Sequence, residues 1–426
     1  MTSTVEPQDL RIGMFIHLDG GWMSHPFPLS SFKIASAEQI QTIRSLGLKK
    51  VRWSPERSDL PAPAALGGPG ADGLAEAAPA AAPVEEDAAQ QARRLAEARA
   101  EAEAAALRLC ERQYHEACRD LRRINESISG EPERARESAQ ALTRALLDKM
   151  LVDGELCVRV LGEPAGDRQS AHAINVTVVS LLLARSMQVG EAEMADLGTG
   201  ALLHDMGKLD LPDRVRLPHD DFTHAEASLY RDHVAHGITQ ARRMGLPPGS
   251  LLVVAQHHEL ADGSGFPKGV TSERMSMSAR IVSLVNQYDN LCNAANVGKS
   301  LTPHEALSRM FAQSRAKFDA AILNGFIRMM GIYPPGSLVQ LSDDRYAMVT
   351  SVNSSRPLKP QVRVHDTSRG GNRSLHLNLE ECPDLGIRRS LKPSQLPARA
   401  AEVLAPRQRV AYFFDVSARP AQEEPV

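Results

Sequence analysis

The chain has 426 residues, 42% of them hydrophobic, and a formal net charge of -3 at pH 7. This length allows two or more globular domains, and the balanced charge excludes the strongly basic surface typical of proteins that bind nucleic acid. The sequence shows no signal peptide and no apolar run near the roughly 18 residues of a membrane span, and its five cysteines form no Cys-x-x-Cys pair, so we expect a cytoplasmic protein with reduced thiols.

Residues 1–58 are predicted to form a small α+β domain. LRIGMFIHL alternates as a strand does, SAEQIQTIRSLGL carries a helix start and a glycine near its end, and KKVRW indicates a second strand. Residues 59–84 consist mostly of Ala, Pro and Gly and contain almost no large apolar side chain. This composition predicts a flexible linker, because such a segment cannot bury enough surface to become ordered.

Residues 85–137 are predicted to form a long charged, alanine-rich helix. The segment 85–128 contains neither Pro nor Gly, whereas Gly130 and Pro132 interrupt the pattern. Two interpretations remain open: a solvated spacer, or a helix that forms a homodimer. The second would use sparse leucines at Leu95, Leu107, Leu109 and Leu121.

The remaining chain predicts a mainly α protein with a β-rich end. Residues 138–332 have a helical pattern almost throughout, and the segment from Ala171 to Met187 is apolar on nearly every face, as expected of a central helix. Residues 333–416 change to short alternating runs separated by turn residues, which indicates a small β-rich module. Residues 417–426 are predicted to be a disordered tail.

Histidines concentrate in the helical segment. Eight of the fourteen lie between positions 172 and 258: His172, His204, His219, His224, His233, His236, His257 and His258. In ALLHDMGK, the apolar run is followed at once by His204, Asp205 and Lys208, whose burial without partners would cost several kcal/mol. Imidazoles and a carboxylate that converge on a divalent metal would avoid this cost, and the residue types suit Fe, Mn, Ni, Co or Zn.

The helical spacing ranks these candidates. His172 shares a face with Val176 and Val179 and should point inward, and Asp205 could bridge two ions. His233 is favoured over His236 as a ligand. Lys208 lies one turn after His204, close enough to meet a phosphate or to protonate a leaving oxygen. The pair His257 and His258 ends an apolar run and can turn into the site, whereas His219 and His224 lie in a polar stretch and are expected to be solvated.

Three motifs in order resemble the HD-GYP domain, a branch of the HD phosphohydrolase superfamily. They are HDMGK at 204–208, HHE at 257–259 and DGSGFP at 262–267, and the resemblance covers roughly residues 138–332. LRIGMFIHLDGGWMSHPF is similar to the small domain of unknown function that often precedes HD-GYP domains. The segment 333–416 resembles the β-rich extension of the same subgroup.

This resemblance implies a phosphodiesterase that hydrolyses cyclic di-GMP to pGpG, and in some members on to GMP. The family uses a hydroxide between two divalent ions, for which Fe or Mn comes first and Ni, Co, Zn or Mg are alternatives. Lys208 would assist the departing 3′ oxygen, and Asp205 would bridge the ions. The implied ligands are His172, His204, Asp205, His233, His257 and His258. The implied loop near the substrate or a signalling partner comprises Asp262, Gly263, Gly265, Phe266 and Pro267.

The sequence departs from the family pattern at four places. Asn286 stands where the family has a ligating aspartate and is a weaker candidate metal ligand, because its amide oxygen is neutral. Arg168 stands where some members have a glutamate that builds a third metal site, so we expect no trinuclear centre. Phe266 replaces the tyrosine of the GYP signature. NAANVGKSLTPHEAL replaces an RPYR segment, which leaves Lys299 as a candidate phosphate ligand. Two alternatives therefore stay open: a signalling module that binds cyclic di-GMP or a protein without turnover, and a different nucleotide phosphohydrolase of the superfamily.

Overall fold

The computed structural model describes most of the chain, in two compact units, Met1–Ala105 and Ala106–Val426. The described residues are 3–18, 31–46, 48–58, 88–151, 155–161, 167–217, 222–353, 356–366, 373–406 and 408–417. The predicted linker at 59–84, His219 and residues 418–426 of the predicted tail lie outside these ranges.

The first unit contains a four-stranded antiparallel sheet in the order β1-β4-β2-β3 and one short helix. Its elements are β1 (Ser3–Val5), β2 (Phe15–His17), β3 (Ser31–Lys33), α1 (Ala37–Ser45) and β4 (Val51–Trp53). Ser36 caps α1 by accepting a hydrogen bond from the Gln39 backbone N–H. Ile16, Ile34 and Ile43 are buried in the core of this unit, which confirms the predicted α+β fold.

The predicted helix at 85–137 is two helices, α2 (Ala88–Ser127) and α3 (Pro132–Met150). Pro132 occupies the first turn of α3, where its missing N–H costs nothing. In the second unit, Tyr114 and Leu121 of α2 are buried. Leu121 is thus already covered by its own chain, and a homodimer through α2 remains a prediction that depends on the other leucines.

Helices dominate the second unit, in agreement with the predicted fold class. They continue with α4 (Arg168–Ser186), α5 (Glu191–Leu203), α6 (His224–Arg231), α7 (His233–Met244), α8 (Pro248–Gln256), α9 (Met277–Cys292), α10 (Pro303–Gln313) and α11 (Ala320–Met330). The predicted central helix is α4, which is buried along most of its length and packs against α5, α9 and α11. Across the described residues, no helix combines the length and the apolarity needed to cross a membrane.

The β-rich end forms a seven-stranded antiparallel sheet in the order β10-β6-β7-β5-β11, with β8 paired to β7 and β9 to β8. Its elements are β5 (Glu155–Val160), β6 (Leu338–Leu341), β7 (Tyr346–Asn353), β8 (Gln361–Asp366), β9 (Arg373–Asn378), β10 (Ile387–Leu391), α12 (Ala398–Leu404) and β11 (Tyr412–Ser417). Strand β5 comes from the segment for which we predicted helix, and it lies between β7 and β11. The helical domain and the β-rich module therefore share one sheet.

Candidate metal centre

Four helices bring five histidines to one place beside Asp205. His172 lies on α4, His204 directly follows α5, His233 begins α7, and His257 and His258 directly follow α8. The side chains of His204, His233 and His257 are completely or almost completely buried. His236 is half-buried and His224 is exposed.

The hydrogen bonds of these rings define their tautomers. In three of them Nδ1 donates to the backbone carbonyl three residues earlier, and because a carbonyl only accepts, Nδ1 carries the proton. The pairs are His204 with Ala201 at 2.6 Å, His233 with Tyr230 at 2.5 Å and His257 with Val254 at 2.8 Å. Each Nε2 therefore presents a lone pair.

The Nε2 atoms of these three histidines and of His172 face one another in pairs instead of facing hydrogen-bond donors. The distance between the Nε2 atoms of His172 and His204 is 3.3 Å, and that between His233 and His257 is 3.2 Å. Two lone pairs so close repel unless a cation binds both. His258 Nε2 and Asp205 Oδ1 are also buried without a hydrogen-bond partner among the described residues. Unused nitrogen and oxygen donors of this kind fit a borderline divalent metal.

Asp205 lies between two groups of imidazoles. Its Oδ2 is 3.6 Å from His172 Nε2 and 3.4 Å from His204 Nε2, whereas its Oδ1 is 3.6 Å from His233 Nε2 and 3.7 Å from His257 Nε2. One group comprises His172, His204 and Asp205. The other comprises Asp205, His233, His257 and His258. Within each group the donor atoms lie within 4.8 Å of one another. A carboxylate shared by both groups fits a bridge between two ions.

Burial keeps His233, His257 and His258 neutral, which is the form that binds metal. It lowers the pKa of His233 to about 4. Burial also holds the pKa values of His257 and His258 well below the usual histidine range, assisted by neighbouring imidazoles. The site is thus ready to accept a cation at neutral pH without first releasing protons from these rings.

Lys208 forms a buried ion pair with Asp205. Its Nζ donates to Asp205 Oδ2 at 2.6 Å. Burial alone would lower the pKa of Lys208, but the Asp205 carboxylate outweighs it and the pKa is raised. Burial would likewise raise the pKa of Asp205, but Lys208 and His204 hold it well below its usual range. The pair is therefore an ammonium and a carboxylate at pH 7.

Gly207 allows the HDMGK segment to lie directly on α7. A Cβ atom at Gly207 would be 2.0 Å from the carbonyl oxygen of His233 and 2.4 Å from the backbone nitrogen of Gly237. Any side chain would push the two segments apart. Glycine here therefore positions His233 beside Asp205.

The DGSGFP segment is held against the end of α8. The Phe266 ring stacks on His258 with the ring centroids 4.4 Å apart, and Pro267 follows through a cis peptide bond. A Cβ atom at Gly265 would lie 2.5 Å from the His258 carbonyl oxygen. The segment thus supports a predicted ligand through ring stacking, for which phenylalanine needs no hydroxyl.

Two acidic side chains fix the shape of this loop. Asp262 Oδ1 accepts the backbone N–H of Ser264 at 2.9 Å, close to Gly263, which has a φ of +78°. The buried Glu259 carboxylate accepts the backbone N–H groups of Lys268 and Val270 at 2.8 and 3.1 Å. The loop therefore has a defined conformation.

Asp289 is a site residue that the sequence interpretation missed. Its Oδ2 accepts from His172 Nδ1 at 2.6 Å, which directs His172 Nε2 toward His204. Its Oδ1 accepts from the side-chain amides of Asn175 and Asn293, each at 2.9 Å. An acidic residue in an apolar helical segment could have indicated this role from the sequence. Asp289 lies one turn after Asn286, the residue that the family pattern singled out.

Asn286 remains a predicted metal ligand, whereas Lys299 lines a cavity other than that of His172. Asn286 is buried on α9, and its Oδ1 accepts from Asn290 Nδ2 at 2.8 Å. Lys299 lines a separate cavity of about 690 Å³ together with Arg309 and Lys392. His172, Asp205 and Lys208 line a different cavity of about 330 Å³.

Comparison with known families agrees with this geometry. Residues 159–322, which include the HDMGK segment, match the HD domain family. The chain contains an HD domain. Residues 3–139 match a domain of unknown function, DUF3391. The two matches confirm the family resemblance drawn from the motifs.

The HD-domain chain is also similar to named proteins. Cyclic di-GMP phosphodiesterase PA4108 of Pseudomonas aeruginosa is 28% identical over 378 residues, which cover 87% of this chain and 86% of the relative. The cyclic di-GMP phosphodiesterase response regulator RpfG of Xanthomonas campestris is 28% identical over 48% of this chain and 51% of the relative. The solved structure of Bd1817, an HDG"Y"P protein of Bdellovibrio bacteriovorus, overlaps 76% of this chain and 98% of its own at 14% identity and a TM-score of 0.37.

Proposed function

We propose that this chain is a metal-dependent phosphodiesterase that hydrolyses cyclic di-GMP to pGpG, with pGpG and GMP as the two alternatives for the end product. The observation that carries the proposal is the convergence of Nε2 lone pairs around Asp205. The names of the relatives, two of which are cyclic di-GMP phosphodiesterases, support the choice of substrate.

The cluster supplies the ligands for two divalent ions, for which Fe or Mn is proposed. When bound, such ions activate a water and neutralise phosphate charge. Asp205 is proposed to bridge, with His172 and His204 on one side and His233, His257 and His258 on the other. Asp289 holds His172 in the required tautomer.

Lys208 is proposed as the proton donor of the reaction. Water loses a proton as its oxygen forms a bond to phosphorus, the P–O3′ bond breaks, and the departing O3′ takes a proton from the Lys208 ammonium. The proton released by water then restores the ammonium of Lys208. The position of Lys208 in the wall of the 330 Å³ cavity, beside Asp205, supports this role. Hydrolysis at one phosphodiester opens the ring and gives pGpG.

The test is a hydrolysis assay on the full chain reconstituted anaerobically with Fe²⁺ or with Mn²⁺. We expect pGpG as the first product, and we expect Lys208→Met to lower kcat by about 100-fold or more while the metal content is unchanged. Lys317→Met, which changes an exposed lysine, is the matched control. Tight metal binding without hydrolysis in any redox state would contradict the proposal.

A specific observation favours a second candidate, a module that binds cyclic di-GMP or a protein without turnover. The amide of Asn286 is already used by Asn290, and no arginine replaces the missing RPYR segment at that place in the sequence. This candidate predicts that cyclic di-GMP binds the metal-loaded chain and stays intact. The same assay, combined with calorimetric binding, separates the two candidates.

We also propose four further features of the chain. They are the domain boundaries, a homodimer through residues 85–128, a signalling partner at the DGSGFP loop and a cytoplasmic setting. Reduced cysteines support the last of these, since none of the five cysteines, all of which the structure describes, forms a disulfide. Deletion of residues 1–130, followed by measurement of oligomeric state and turnover, tests the dimer and its influence on catalysis. Unchanged values would contradict both.

A further inference from the structure

The walls of the 330 Å³ cavity contain four cations, Arg168, Lys208, Arg216 and Arg409. Lys208 pairs with Asp205 at 2.6 Å, and Arg216 pairs with Asp213 at 2.8 Å. Neither Arg168 nor Arg409 has a carboxylate partner among the described residues. The cavity therefore holds two guanidinium groups that form no ion pair with an acid of the residues that the structure describes.

The remaining acids of the cavity wall are committed elsewhere. Asp167 caps α4 by accepting the N–H groups of Gln169 and Ser170, and Asp289 accepts from His172 and from two asparagines. Arg168 uses one nitrogen to donate to the Asn293 carbonyl at 2.7 Å. In the part of the chain that the structure describes, Arg409 makes no hydrogen bond and no ion pair.

Arg168 and Arg409 are also close enough to repel each other. Burial lowers the pKa of Arg168, and the charge of Arg409 lowers it further. Like charges beside one another in a partly buried cavity cost free energy unless an anion lies between them. Guanidinium groups bind phosphate oxygens through two parallel hydrogen bonds, so a phosphate is the anion that this arrangement suits.

Two asparagines fix the backbone beside Arg409. The N–H of Val410 donates to Asn293 Oδ1 at 2.8 Å, and the Val410 carbonyl accepts from the amides of Asn175 and Asn293, each at 2.9 Å. The same two amides hold Asp289, which orients His172. The segment that leads into β11 is therefore attached to the residues that support the metal cluster.

We propose that Arg409, delivered by the carboxyl-terminal β-rich module, and Arg168 together bind a phosphate of the substrate. The inference rests on the proposed function, because it takes cyclic di-GMP as the ligand. It assigns to the β-rich module a part of the substrate site, and it places a phosphate-binding arginine far along the sequence from the missing RPYR segment.

The experiment compares Arg409→Ala, Arg409→Lys and the matched control Arg399→Ala, which changes an exposed arginine of α12, in the Mn²⁺-loaded full chain. We expect Arg409→Ala to raise KM for cyclic di-GMP about tenfold or more, because a charge-assisted hydrogen bond to the phosphate is lost. The values of kcat and metal content should be nearly unchanged. Arg409→Lys should give an intermediate KM and guards against misfolding of the alanine variant, and Arg399→Ala should match the wild type.

Several results would overturn this inference. Arg409→Ala could have the same KM as Arg399→Ala, it could lower kcat without changing KM, or it could lose the metal. Any of these results contradicts a role of Arg409 in binding phosphate. If the wild type does not hydrolyse cyclic di-GMP, the proposed function fails, and the Kd for cyclic di-GMP from calorimetry decides the inference alone. A raised Kd in Arg409→Ala then supports it, whereas an unchanged Kd or no binding by any form overturns it.

Discussion

The proton on each Nδ1 determines what the histidine cluster can do. Because backbone carbonyls accept hydrogen bonds from the Nδ1–H groups of His204, His233 and His257, each Nε2 of these rings is left as an acceptor without a donor. Histidines buried only for packing would be expected to use both nitrogens. The orientation of the imidazole rings, as well as their number, therefore indicates a metal site.

Asp289 provides the sharpest test at this scale. In Asp289→Asn, one carboxylate oxygen becomes an amide group, so the oxygens cannot accept from His172, Asn175 and Asn293 together. We expect the affinity for Mn²⁺ to fall about 10- to 100-fold, since groups that orient a ligating histidine have effects of this size. Competition with a metal-sensitive dye measures the affinity.

Asp384→Asn, which makes the same chemical change at an exposed position, serves as the control for Asp289→Asn. It should bind Mn²⁺ as the wild type does. If both variants kept the wild-type affinity, Asp289 would have no role in orienting a metal ligand.

At the scale of elements, the loop after α8 depends on the absence of a side chain at Gly265. In Gly265→Ala the new methyl group would meet the backbone of His258, Glu259 and Leu260 at 2.5 Å. The loop must shift and carry the Phe266 ring away from His258. We expect a loss of about 1 to 3 kcal/mol in the free energy of unfolding, as for other overpacked sites, with weaker metal binding.

Gly386→Ala is the matched control for Gly265→Ala, because a Cβ atom at Gly386 meets nothing within 4 Å. Denaturant unfolding and metal titration of both variants measure the difference. Equal stability and equal metal affinity in the two variants would show that close packing of the loop does not support the site.

The elements also show what the sequence could and could not predict. Helical spacing placed His172 inward, and the end of an apolar run placed His257 and His258 at a helix end, because both features are local. Strand β5 was missed because a strand of six residues between helices becomes evident only through its partners β7 and β11, which lie far away in sequence.

At the scale of the whole molecule, one buried lysine ties α3 to the β-rich sheet. Lys149 donates to the Phe414 carbonyl at 3.0 Å and to Gln113, and lies near the rings of Phe413 and Phe414. Burial lowers the pKa of Lys149 from its ordinary value of 10.5 to about 8. Between these values the unfolded chain holds a proton that the folded chain has lost, so stability rises with pH across this window.

We expect the difference in free energy of unfolding between the wild type and Lys149→Met to depend on pH. From pH 8 to pH 10.5, the free energy of unfolding of the wild type should rise relative to that of the variant by up to about 3 kcal/mol. Urea unfolding at several pH values measures this difference, in which the titration of other groups cancels. A difference independent of pH would mean that Lys149 is not titrating in a buried position.

The whole-molecule arrangement also explains why Arg409 and Asp289 escaped the sequence interpretation. Motifs record residues that are close in sequence, whereas Arg409 reaches the cavity only because Val410 is bound by Asn175 and Asn293 from two helices. The family pattern directed attention to Asn286 and to Lys299. The contacts that place Arg409 at the proposed phosphate site instead arise from packing of the β-rich module on the helical domain.

The central claim, that the imidazoles meet around divalent ions beside Asp205, is tested most directly by anomalous diffraction from crystals of the full chain grown with Mn²⁺. We expect two anomalous peaks, one between His172, His204 and Asp205 and the other between Asp205, His233, His257 and His258. Crystals with no peak at Asp205, or with rings turned so that their Nε2 atoms no longer face one another, would contradict it.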